Sequence, residues 1–71
     1  MLHEYDVAVL KKALPGFAVP VSSEGTIVMV HDAGAQAYEV EFVDQNHKTI
    51  DICAVVGDEY LELKWAYRDT K

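Results

Sequence analysis

Residues 37–43, Ala-Tyr-Glu-Val-Glu-Phe-Val, alternate between apolar and charged side chains. A period of two fits a strand with one dry face and one wet face; on a helix the same residues would scatter round the axis. Tyr38, Val40 and Phe42 therefore require a core, and Glu39 and Glu41 face water. Other runs follow the same pattern. Tyr5–Leu10 sets Tyr5, Val7 and Val9 against Asp6 and Ala8, and Thr26–His31 is rich in β-branched residues. Thr49–Val55 predicts Ile50, Ile52 and Ala54 inward, with Asp51 and Cys53 outward. Leu61–Trp65 sets Leu61, Leu63 and Trp65 against Glu62 and Lys64.

Turn signals separate these runs. Lys11–Glu24 is a long connection holding Pro15-Gly16, Pro20 and the bend Ser22-Ser23-Glu24-Gly25. A loop of that length in a small domain is often functional. Asp32–Gln36, with Gly34, and Asp44–His47 read as hairpin turns, and Gly57–Tyr60 as one tight helical turn. Five short strands without helical periodicity predict an all-β fold. The specific expectation is a small five-stranded SH3-like barrel with a long first loop and a short 3-10 turn before the last strand. Residues 1–71 form one domain in this reading, with 66–71 as a flexible tail.

Seventy-one residues allow one domain. A chain this short buries roughly 60% of its unfolded surface, leaving little surplus for a strained active site. Twelve acids against six Lys and Arg give a net charge of −6. That field repels phosphate backbones and favours basic partners. Only Lys11-Lys12 is an adjacent basic pair. No apolar run is long enough to cross a bilayer, and Met1-Leu2-His3-Glu4 lacks the basic start of a signal peptide. A lone cysteine, Cys53, permits no internal disulfide. The expected setting is the cytoplasm, away from membranes.

Leu2–Val7, Leu14-Pro15, Gly25-Thr26-Ile27-Val28, Ala37–Phe42 and the closing Tyr60–Leu63 resemble small bacterial proteins of the domain of unknown function 4926 family. The resemblance spans nearly the whole chain, and the spacing between GTIV and AYEVEF is its most specific part. It implies an SH3-like barrel and no established activity. The chain departs from the family pattern in the long loop, where a glycine is usual near Ser22 and an apolar residue near Glu24. A polar residue is usual at Met29. The resemblance thus implies Val28 and Val30 inward with Ile27 and Met29 partly exposed, although periodicity alone leaves the buried face of this strand open.

The candidate partner-binding residues are Met29, Glu39, Glu41, Asp51, Cys53 and Phe17. Pairing of Phe42 with Ile50 would set Glu41 opposite Asp51, making an acidic strip beside Met29 and Cys53 for a basic, partly apolar surface. A merely solvated face explains the same residues. A catalytic carboxylate pair needs a pocket, and a barrel this small fills its interior with side chains. Cys53 with His31 or His47 lacks a nucleophile motif, and His3, His31 and His47 lack metal-ligand spacing. Phe17, Tyr60, Trp65 and Tyr67 are the residues for a peptide groove, but Trp65 is expected to cap the core.

The sequence therefore predicts a non-enzymatic acidic protein–protein interaction module without cofactor or metal. One concrete form is an antitoxin or immunity-type neutralising partner of a basic protein. The alternatives are a self-associating structural domain, such as a homodimer, and a regulatory accessory barrel for a neighbouring enzyme. A nucleic-acid binder ranks last.

Overall fold

The computed structural model describes residues 2–32, 34 and 36–66. Five strands follow one another, β1 (Val7–Leu10), β2 (Glu24–Asp32), β3 (Ala37–Val43), β4 (Thr49–Val56) and β5 (Leu61–Trp65), with a 3-10 turn at Asp58–Tyr60. They form one antiparallel sheet in the order β4-β3-β2-β1-β5. The all-β expectation holds, with the long first connection and the 3-10 turn where the sequence put them. β4 and β5 lie at the two ends of this order, and no ladder joins them among the described residues. No helix is long and apolar enough to cross a membrane among those residues.

The connections show how local chemistry sets the topology. Pro15-Gly16 makes its turn with Gly16 at φ +83° and the Phe17 amide donating to the Leu14 carbonyl at 3.3 Å. This is the arrangement that favours proline followed by glycine. The loop is held at its base, where Leu10 N–H donates to Ser23 O (3.0 Å) and Ser22 N–H donates to Leu10 O (2.8 Å). Leu14 and Val19 are buried, so the loop packs its apolar residues into the core; Phe17 and Val21 stay exposed. In the β3–β4 turn, the Asp44 carboxylate accepts from the Asn46 and Lys48 amides, and His47 takes φ 63°. An aspartate that satisfies the turn's own donors is the reason this tetrapeptide bends.

The core gathers Ala8, Leu10, Ile27, Tyr38, Val40, Phe42, Cys53, Val55 and Leu61, closed by Leu2, Leu14 and Val19. β3 keeps the predicted phase throughout. On β1 the buried side is that of Asp6 and Ala8. Asp6 is buried with its carboxylate accepting from the His3 amide at 2.9 Å. Tyr38 reaches across the core to accept from the Leu2 amide at 3.2 Å.

Four irregularities interrupt the ladders, and those in β2 and β4 account for the departures of these two strands from the sequence reading. The β2–β3 register shifts between Ile27 and Met29, so the strand changes phase at Val28. Ile27 is fully buried, contrary to the expected partial exposure, while Met29 is exposed and Val30 packs on the core. A second shift lies between Val30 and Asp32, at His31. On β4, a shift at Ile50 pairs Phe42 with Asp51 and Val43 with Thr49. The expected Phe42–Ile50 pairing is therefore absent, and the strand is out of phase with its prediction. Cys53 and Val55 point inward, and Ile50, Ile52 and Ala54 are exposed. On β5, a shift at Lys64 pairs Val7 with Trp65. Trp65 is 44% exposed and does not cap the core, and Leu63 is exposed beside buried Leu61. Ala66 is buried, and the rest of the predicted tail lies outside the described residues.

Candidate functional site

The outer face of β2, β3 and β4 carries three of the six candidate residues. Met29 pairs with Glu39, Glu39 with Ala54, and Glu41 stands between Thr26 and Ile52. The exposed side chains of Ile52, Ala54 and Val56 run along β4 beside the two glutamates. The result is an acidic row on the second strand from the edge, bordered by Met29 on one side and by an apolar row on the other. Glu39 is joined to His31 Nε2 at 2.5 Å, and Glu41 accepts from the Thr49 hydroxyl.

Asp51 and Cys53 leave this group. Glu41 faces Ile52, so the predicted opposition of Glu41 and Asp51 does not occur. Asp51 lies on the Cys53 side of β4, where its Oδ1 accepts from the Ile52 amide at 2.8 Å. Cys53 has no exposed surface, and burial pushes its thiol above the usual range, with the Asp51 and Glu39 carboxylates adding to the effect. Cys53 is a packing residue of the core and takes no part in the exposed strip. Phe17 is exposed on the long first loop and is not on these strands. The alternation of Thr49–Val55 predicts Ile52 and Ala54 inward and leaves Val56 unassigned; the bulge at Ile50 that exposes them has no glycine or proline to announce it.

Three of the four aromatic candidates, Phe17, Tyr60 and Trp65, fall among the described residues. Tyr60 packs against the core, with the Lys12 ammonium 5.1 Å from its ring centre and 3.1 Å from Glu59. Trp65 stands opposite Val7, and Tyr67 lies outside the described residues. A cleft of about 550 Å³ opens between Pro20–Glu24 and the β3–β4 turn, with Val43 and Ile50 in its wall. Its charged groups are engaged: Lys64 bonds Glu24 and holds that carboxyl below its usual range, while Asp44 caps its own turn. Among the described residues, no three His, Cys, Asp or Glu side chains converge as a metal site would require.

No curated protein and no solved structure matches the chain. Residues 4–61 match the profile of a domain of unknown function, DUF4926, and the chain belongs to that family.

Proposed function

We propose that the protein is a non-enzymatic interaction module that takes a basic, partly apolar protein on the outer face of β2, β3 and β4. One observation carries this reading: Glu39 and Glu41 lie in a row between exposed Met29 and the exposed Ile52, Ala54 and Val56. Carboxylates flanked by apolar surface suit a partner whose cations meet the acidic row while its own apolar groups cover the sides. The net charge of −6 acts in the same direction at longer range, by speeding encounter with a basic partner. Neutralisation of a basic toxin or nuclease is the concrete form that this chemistry suits.

The test is complex formation with the basic products of adjacent genes, followed by size exclusion at low and at moderate salt. A complex that weakens with salt and is lost in Glu39→Lys/Glu41→Lys is the expected outcome. Affinity purification from the host that yields no protein partner would overturn the reading.

A second reading, self-association, draws on the exposed apolar side chains of β4. Light scattering at high concentration under reducing conditions separates the two, because a monomer removes self-association.

A further inference from the structure

β4 is eight residues long and ends the sheet, and no strand pairs with its outer side among the described residues. Two hydrogen bonds fix which of its backbone groups face outward. Gly57 N–H donates to Gln36 O at 2.9 Å, so position 57 turns toward β3, while Ile52 N–H is taken by the Asp51 carboxylate. Backbone groups in an antiparallel ladder alternate in direction. The N–H and C=O of residues 52, 54 and 56 therefore face the open edge, and those of 53 and 55 face β3. Side chains alternate with the same period, which puts the outward donors on the residues whose apolar side chains border the acidic row.

We infer that β4 is the docking edge for an extended basic segment of the partner, which adds to the sheet as a sixth strand with Lys or Arg at alternate positions on the outer face. This rests on the interaction-module reading and specifies where and how the partner binds. Charge complementarity selects the occupant. An added strand would lie about two strand spacings, roughly 10 Å, from β3. Its Lys or Arg stems would cross Ile52 and Ala54, and their cations would reach Glu41 and Glu39. The apolar side chains would then be covered and the carboxylates paired by the same residues.

A second copy of this chain meets the requirement less well. Its β4 would bring Ile, Ala and Val to the outer face and no cation. The two acidic rows would stand about three spacings, roughly 14 Å, apart, which is beyond the ~8 Å screening length. They would be neither repelled nor paired. Strand addition by main-chain hydrogen bonds with alternate side chains giving selectivity is an established recognition mode. Asp51 is an obstacle built into this stretch of the edge, since a bound strand must compete with its carboxylate for the Ile52 amide.

The experiment uses the full chain and synthetic ten-residue peptides of alternating Lys and Val, alternating Glu and Val, and a Lys-Val version N-methylated on alternate residues. Binding is read by fluorescence anisotropy, and the site by amide hydrogen exchange. The Lys-Val peptide is expected to bind and to protect the amides of Ile52, Ala54 and Val56. The Glu-Val and N-methylated peptides should not bind. Glu39→Gln/Glu41→Gln should weaken binding about tenfold. Ala54→Pro, which removes an edge-facing donor, should abolish it. Binding that leaves those three amides unprotected and survives N-methylation would overturn the inference while leaving the acidic-face reading intact. No binding of the Lys-Val peptide beside a salt-sensitive complex with a folded basic partner would separate the two in the same way. Concentration-dependent protection of the same amides without peptide would assign the edge to a second copy and overturn the inference.

Discussion

β3 and β4 are neighbours in one sheet and similarly apolar, yet they obey different rules. β3 has a strand on each side, and its buried residues are the ones its alternation predicts. β4 has one partner, and its buried residues are Cys53 and Val55 rather than Ile50 and Ile52. Phase on a central strand is imposed by its own side chains, because the wrong phase would bury glutamates. Phase on the edge strand is imposed by its neighbour's register. Once Phe42 pairs with Asp51, every later residue of β4 is assigned.

Truncation gives the largest contrast. Phe42→Ala is expected to cost about 3–5 kcal/mol, most of the stability of a domain this small. Ile52→Ala, at a side chain 51% exposed, should cost no more than about 1 kcal/mol. Urea unfolding at unchanged slope measures both. Equal losses at the two positions would break the assigned phase of β4.

Gly25 on β2 pairs with Phe42 on β3, and the Val40 and Phe42 side chains lie over it. A methyl group there would stand 2.6 Å from Val40 Cγ1 and 2.8 Å from Phe42 Cδ1. Gly25→Ala should therefore destabilise by about 1–3 kcal/mol, more than any exposed apolar truncation on β4. A neutral result in the same urea experiment would show that β2 can retreat from the β3 side chains.

The same contrast explains what was legible in the sequence. Tyr38, Val40 and Phe42 were readable because charge stood between them. The turns at Pro15-Gly16 and Asp44–His47 were readable because their residues satisfy particular backbone geometries or donors. β4 was not, since Ile52, Cys53, Ala54, Val55 and Val56 are all apolar and either phase buries hydrocarbon. In β2, neither single phase is right, because the strand switches at Val28. The same ambiguity split the candidate site. Met29, Glu39 and Glu41 were found together, since two of them lie on β3 and the third pairs with it. Asp51 and Cys53 went with the misassigned face of β4 and drop out.

Cys53 offers a finer probe of that face. Burial raises its pKa, so between the unfolded and folded values the unfolded chain gives up a proton that the folded one keeps. That contribution to stability is complete below the unfolded value and declines as pH rises toward the folded one. The fall in stability above about pH 8.5, near the free thiol value, should be steeper in the native chain than in Cys53→Ala. Alkylation of native Cys53 should be slow and should accelerate in urea. Rapid alkylation of the folded protein would return Cys53 to the outer face.

The smallest expected effect concerns the other end of the sheet. β5 is also an edge strand, but the shift at Lys64 interrupts its ladder, and Lys64 bonds Glu24 on β2, the strand on the far side of β1. A bulge and a charged side chain are both devices that discourage a further strand from pairing. β4 also carries a bulge, but it lies near the start of the strand and leaves residues 51–56 in continuous register with β3. The Lys64 ammonium depresses the Glu24 pKa, so the pair's modest contribution is present above the ordinary carboxylate range and is lost as pH falls through the lowered value. In Lys64→Ala, the Glu24 carboxyl followed by NMR should titrate nearer its ordinary value, with little change in melting temperature because the pair is solvent-exposed. Removal of this guard should still leave the Lys-Val peptide on β4. If the peptide moved to β5 in Lys64→Ala, edge protection rather than the Glu39–Glu41 row would be what selects the docking strand.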